Sequence, residues 1–184
     1  MKQMKKLKNV LVIAASPRRG GNSDLLCDRF AAGAREAGHE VEKIFLRDKK
    51  VAYCTGCYAC LQSQGICAIR DDMTEILDKI LRADVLVLGT PVYFYCMNAQ
   101  LKTVIDRSVA RYTQIRDKDA YLIATAGEND MKAMEGTVTS FRGFLDCLDH
   151  VREAGMILAP GVHLKGEVAD KPYMQQAYEL GKSV

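Results

Sequence analysis

Asn9-Val10-Leu11-Val12-Ile13-Ala14-Ala15 runs directly into Ser16-Pro17-Arg18-Arg19-Gly20-Gly21-Asn22-Ser23. From Val10 onward the first stretch is continuously apolar and rich in β-branched residues, the pattern of a buried strand. Behind the polar loop, Leu25, Leu26, Phe30, Ala31 and Ala34 recur at helical spacing. Asn22 or Ser23 serves as N-cap for that helix and Gly38 as its stop. A helix N-terminus presents unpaired N–H groups and the positive end of a dipole, so it attracts anions. Here the hydroxyls of Ser16 and Ser23, the amide of Asn22 and the guanidinium of Arg18 are added around Gly21, which together compose a phosphate seat. A turn with an N-cap alone does not call for two arginines and two glycines.

Outward from this loop the same alternation continues. A strand over Val41–Leu46 is followed by a helix marked by Met73, Ile76, Leu77, Ile80 and Leu81, and then by a strand over Val85–Leu88. A helix carrying Leu101, Val104, Ile105 and Val109 leads to a strand over Ala120–Ala124. After it come a helix with Val138, Phe141, Leu145 and Leu148, a strand over Met156–Leu158 and a closing helix over Tyr173–Leu180. Five strands alternating with five helices imply an α/β fold with a parallel sheet, right-handed crossovers and helices on both faces. Ligands in such sheets bind outside the strand carboxyl ends, where the strand order reverses.

The chain has 184 residues, 48% hydrophobic and 27% charged, the composition of one globular domain spanning 1–184. Lys and Arg number 26 against 23 Asp and Glu, and a net +3 is too weak to argue for nucleic acid. No apolar run approaches the roughly 20 residues of a membrane span. The basic start leads into only a short apolar stretch, Val10–Ala15, which is too brief for a secretory core, so a cytoplasmic location is expected. In that compartment seven cysteines are not expected to be structural disulfides.

The loop after the first strand lacks GxGxxG and Gly-Lys-Ser/Thr, which argues against a dinucleotide or triphosphate site. A phosphatase loop would need a nucleophilic cysteine where Ala14, Ala15 and Ser16 stand. A phosphorylated receiver would need an aspartate where Gly89 and Thr90 stand. A monophosphate ester bound without being cleaved remains.

AASPRRGGNSD after the first strand, DDM before a helix, GTPVYFYCMNAQLKTVIDR after the third strand and TAG after the fourth resemble the NAD(P)H-dependent FMN reductase branch of the flavodoxin-like proteins. The resemblance runs over essentially the whole chain. It implies a flavodoxin-like three-layer sandwich of strand order 2-1-3-4-5, FMN at the switch point, NAD(P)H as co-substrate, and a homodimer or homotetramer. Pro91, Val92, Tyr93 and Phe94 would then offer the flavin an aromatic platform and backbone donors, with Ala126 and Gly127 passing close to the ring. Cys96 and Met97 depart from the small residue that relatives often carry there. The resemblance also implies a structural role for Asp106 and Arg107. Hydride transfer to a flavin needs stacked rings more than a protein acid or base, so no catalytic residue is expected, and His39, His150 and His163 are read as surface or packing residues.

Arg47 to Arg70 follows neither period and carries Cys54, Cys57, Cys60 and Cys67 as CxxCxxCx6C. Loops longer than about 12–15 residues are usually functional. Four thiolates complete the shell of a [4Fe-4S] centre, equally satisfy zinc, or stand as free thiols in a loop near a subunit interface. The spacing resembles that of the iron-sulfur flavoproteins, a subgroup of the same family. Cys27, Cys96 and Cys147 are read as packing residues. The favoured function is an FMN-dependent NAD(P)H oxidoreductase passing electrons to a small-molecule or protein acceptor. A non-enzymatic FMN electron carrier or redox sensor is the alternative.

Overall fold

The computed structural model describes residues 6–184. Its elements are β1 (Asn9–Ala14), α1 (Asn22–Glu36), β2 (Glu40–Phe45), α2 (Ala59–Gln62), α3 (Met73–Arg82), β3 (Val85–Tyr93), β4 (Cys96–Met97), α4 (Ala99–Arg107), β5 (Arg116–Thr125), α5 (Glu135–Leu145), β6 (Asp149–Ala159) and α6 (Tyr173–Lys182). Strands β2-β1-β3-β5-β6 form a parallel sheet in that order, and β4 pairs antiparallel with the end of β3. With the β4 stub set aside, this is the expected order 2-1-3-4-5, with helices on both faces.

The continuous apolar run of β1 has a direct explanation. Leu11 and Ile13 face one core with Ile76, Ile80, Leu101 and Phe141, while Val10 and Val12 face the other with Leu26, Phe30 and Ala177. Because successive side chains point to opposite faces, a strand covered on both sides needs an apolar residue at every position. Helices α1 and α6 cross closely on the second face. A Cβ on Gly33 would fall 2.0 Å from the Tyr178 carbonyl oxygen, and one on Gly181 would fall 2.0 Å from that of Phe30.

Several elements differ from the sequence reading, among them β5, which begins at Arg116 and not Ala120. β3 does not stop at Leu88 but runs through Pro91 to Tyr93, where Pro91 pairs with Thr125 at the last rung of the ladder with β5. A proline is tolerated at such a terminal position because few hydrogen bonds remain to lose. β6 is longer than Met156–Leu158 because it lies at the sheet edge. There Asp149, His150, Arg152 and Glu153 remain exposed and leave no apolar pattern to read. The segment without periodicity contains α2, a single turn too short to show one.

Candidate functional site

The carboxyl ends of β1, β3 and β5 open on one edge of the sheet, and the order reverses between β1 and β3. After β1, the Ser16 hydroxyl is hydrogen-bonded at 3.1 Å to both the Arg18 N–H and the Arg18 carbonyl. Gly21 N–H donates to the same carbonyl at 3.0 Å. The loop thus closes on itself and delivers Gly21 as the N-cap of α1, where no side chain caps the helix. The first-turn N–H groups are left to face an anion. Gly21 is sterically required, because a Cβ would lie 2.8 Å from Ser16 Oγ and 2.9 Å from the Arg18 oxygen.

The polar groups expected here divide into two sets. Arg18 is exposed and has no ion pair among the described residues. Arg19 instead pairs with Asp48 and lies 4.7 Å over the Phe45 ring. The Asn22 side chain is occupied, donating to the carbonyls of Val162 at 3.0 Å and Leu164 at 2.9 Å and accepting from Val168 N–H at 3.2 Å. Its side-chain amide is therefore spent within the fold, and only its backbone N–H at the start of α1 could serve a ligand. Ser23 is buried in the first turn of α1. Asp24, an acid in that same turn, accepts from Gly20 N–H at 2.8 Å and pairs with Lys43 at 2.5 Å, so its charge is balanced locally. Burial works against the charge on Lys43, but Asp24 and Asp28 reverse this and hold its ammonium above the ordinary range.

Sequence reading missed Lys165. The Asn22 tether brings residues 162–168 against α1, and the Lys165 Cε lies 3.4 Å from where a Gly20 Cβ would be. A second cation therefore flanks the seat from far along the chain, and no local spacing could have announced it.

The expected aromatic loop after β3 is a tight hairpin. Val92 pairs with Met97 and Tyr93 with Cys96, while Phe94 and Tyr95 turn with φ of +49° and +64°. Pro91 is buried, and Tyr93, Phe94 and Tyr95 are exposed, with Phe94 fully so. Buried Asn98 fixes this hairpin to the phosphate loop. Its Nδ2 donates to the Ala15 carbonyl at 2.6 Å, and its Oδ1 accepts from Leu101 N–H at 3.2 Å and from Thr90 Oγ1 at 3.1 Å. One amide thus joins the ends of β1 and β3 to the start of α4. After β5, Ala126 is buried and bonded to the Ala159 carbonyl. Gly127 is exposed beside His163, whose Nδ1 would lie 2.7 Å from a Cβ there. Among the described residues the close approach at Gly127 is to His163, which is exposed at the rim of this edge. All three histidines fit the expectation of surface or packing positions, since His39 is buried against the Val184 carbonyl and His150 is exposed beside Asp149.

The four cysteines of the long loop line one cavity of about 370 Å³ with Ile69, Arg107 and Val109. Cys54 and Cys57 are exposed, Cys60 and Cys67 half-buried. Hydrogen bonding by Ala59 N–H, and then by Thr55, draws the Cys57 thiol below its ordinary range. Among the described residues no three His, Cys, Asp or Glu side chains converge as ligands of a single ion. Both ends of the loop are clasped by Arg107, which donates to the Ala52 and Ile69 carbonyls at 2.8 and 3.4 Å and to both Asp71 oxygens at 2.8 and 3.0 Å. Asp71 in turn accepts from Ala52 and Met73 N–H. Arg107 is thus structural through Asp71 of the DDM motif and not through its neighbour Asp106, which pairs with Lys102 at the surface.

Cys27 is buried against Gly89, and burial pushes its thiol up to about 12, as suits a packing residue. Cys96 is half-buried, 3.5 Å from Ser140 Oγ. Cys147, expected to pack, is exposed at the end of α5, because that helix stops at Leu145. Among the described residues no helix is long and apolar enough to cross a membrane.

A doubly wound sheet with an uncapped helix N-terminus and an aromatic hairpin at its switch point defines a mononucleotide-binding protein of the flavodoxin-like class. Residues 8–159 match the NADPH-dependent FMN reductase family. The chain is 34% identical over 188 residues to an iron-sulfur flavoprotein of Methanocaldococcus jannaschii, covering 95% of this chain and 94% of that one. With an iron-sulfur flavoprotein of Archaeoglobus fulgidus it shares 42% identity over 95 residues, which is 52% of this chain and only 43% of that protein. A solved NAD(P)H:quinone oxidoreductase from Methanothermobacter marburgensis superposes with a TM-score of 0.79 at 23% identity, covering 97% of this chain and 96% of that one, a likeness of fold. The chain belongs to the NADPH-dependent FMN reductase family, FMN-dependent oxidoreductases that draw electrons from NAD(P)H.

Proposed function

We propose that this protein takes electron pairs from NAD(P)H on FMN and passes them to a small-molecule or protein acceptor, with a [4Fe-4S] cluster in the cysteine loop as the outlet for single electrons. The observation that carries the FMN assignment is the uncapped N-terminus of α1 flanked by Arg18 and Lys165. In this reading Ser16, Arg18, Gly21, Ser23 and the Asn22 N–H hold the phosphate. Tyr93 and Phe94 border the ring with Pro91 and Val92, and Ala126 and Gly127 close its other side. Bound FMN supplies hydride acceptance and stepwise electron release, and the chain contributes position and a partly apolar wall.

The buried Nε of Arg107, which has no partner among the described residues, fits a hydrogen-bond-accepting group in the cysteine cavity. Zinc requires four sulfurs about 2.3 Å from one point, whereas each thiolate of a cuboidal cluster binds its own iron, so four cysteines around a cavity favour the cluster. The seven free thiols fit a reducing cytoplasm, and the exposed Tyr53, Tyr58, Leu61 and Ile66 beside the cavity fit a homodimer or homotetramer contact.

Anaerobic purification followed by assay of flavin, iron, acid-labile sulfide and NAD(P)H oxidation tests this reading. FMN with turnover is expected, together with iron and sulfide that Cys57→Ala abolishes while FMN stays bound. Bound FMN without NAD(P)H turnover would leave the electron-carrier alternative. Iron-free protein after reconstitution would remove the cluster and leave the FMN site standing.

A further inference from the structure

Arg107 is almost wholly enclosed, yet it stands in the wall of the cavity that the four cysteines share. Its two terminal nitrogens are fully engaged by Asp71, Ala52 and Ile69. The charge is therefore balanced by Asp71 within the clasp. Nε is buried and makes no well-formed hydrogen bond among the described residues, while the Cys67 thiol stands within hydrogen-bonding reach of the guanidinium. A donor buried without an acceptor is unfavourable, and native proteins rarely leave one so. Among the described residues the same wall holds one other charged side chain, Asp106, which can only accept, so Arg107 is the sole cationic donor among them to line this cavity.

Resting on the cluster reading above, we propose that Arg107 is a positioning residue of the iron-sulfur site, its Nε–H donating to a sulfur of the cluster or to the Cys67 thiolate. Hydrogen bonds to cluster sulfurs stabilise the reduced, more negative state and raise the reduction potential. The arginine would then both close the loop and set how readily the cluster accepts an electron. A lysine could keep the ion pair with Asp71 but carries no nitrogen at the Nε position.

The test uses the full chain grown with ¹⁵N-arginine, reconstituted and reduced, with hyperfine spectroscopy of the cluster signal. A resolved ¹⁵N coupling is expected in the wild-type protein and is lost in Arg107→Lys. That variant should keep FMN and show a cluster potential shifted to more negative values. If Arg107→Lys holds no cluster, Arg70→Lys and Arg111→Lys, both retaining the coupling, assign it to Arg107. A reduced wild-type cluster without arginine coupling overturns the proposal. So does a coupling that persists in Arg107→Lys, or a loaded Arg107→Lys cluster at the wild-type potential. Iron-free wild-type protein overturns it together with the cluster reading, and flavin content tells that case apart from failed folding.

Discussion

Gly21→Ala tests the phosphate seat with the least disturbance to the rest of the fold. Gly21 has φ −71° and ψ 163°, extended backbone that alanine adopts freely, so the substitution introduces no backbone strain. The added methyl would sit 2.8 Å from Ser16 Oγ, 2.9 Å from the Arg18 oxygen and 3.3 Å from Arg18 Cβ. The first two distances are roughly half an ångström inside ordinary van der Waals contact, and both atoms belong to the hydrogen bonds that close the loop. The loop must open, and the donors it holds at the start of α1 shift with it. Loss of one charge-assisted hydrogen bond is worth about 1.5–3 kcal/mol, so FMN binding should weaken about ten- to a hundredfold. Folding stability should fall as well, because opening the loop disturbs the Ser16–Arg18 hydrogen bonds, a cost that alanine's restriction of the unfolded chain offsets only in part. The assay is fluorescence titration of apoprotein with FMN and with riboflavin, which lacks the phosphate. Riboflavin should bind the wild-type protein far more weakly than FMN and lose little further affinity in the variant. Lys165→Gln should lower FMN affinity selectively as well, and flatten its salt dependence. Unchanged FMN affinity in both variants, or an equal loss for riboflavin, would refute the assignment of the phosphate to this loop.

Two further outcomes follow from packing and charge. A Cβ on Gly89 would fall 2.2 Å from the buried Cys27 Sγ, so Gly89→Ala should destabilise by about 1–3 kcal/mol in urea unfolding. Most of that loss should vanish in a Cys27→Ala background, and strictly additive effects would show that this contact is not the cause. Burial by itself would raise the Asp71 carboxyl, but hydrogen bonds from Arg107 and from Ala52 and Met73 N–H outweigh it and hold the group below its usual range. A depressed folded value means that the stabilisation is complete above the unfolded carboxylate pKa of about 3.9 and is lost as pH falls through the folded value. Asp71→Asn should therefore cost about 3 kcal/mol at neutral pH by leaving Arg107 unpaired, and should remove this part of the acid dependence. Parallel acid-unfolding curves for the two proteins would contradict that account.

The sequence by itself determined the architecture, because each layer of a doubly wound sheet imposes a local pattern. Strands covered on both faces must be apolar at every position, as Val10–Ala14 and Val85–Leu88 are, and covering helices must be apolar on one stripe, as Met73, Ile76, Leu77 and Ile80 are. The junction after β1 was legible as a strand, a glycine loop and a helix start for a similar reason, since the three are contiguous. Where residues are released from the core that signal fades, as at the exposed start of the edge strand β6, whereas the end of β3 is hidden because Gly89, Thr90 and Pro91, though buried, interrupt its run of Val and Leu. Only the tertiary structure decided which polar groups stand around the proposed phosphate seat. Asn22 reaches residues 162–168, Arg19 reaches Asp48, and Lys165 arrives in their place. It also decided that Arg107 joins Asp71 across the chain and leaves Asp106, its neighbour in sequence, at the surface. These pairings depend on distances closed by crossovers of tens of residues, and a side chain's partner at that range is set by where the sheet delivers it, which no local spacing encodes.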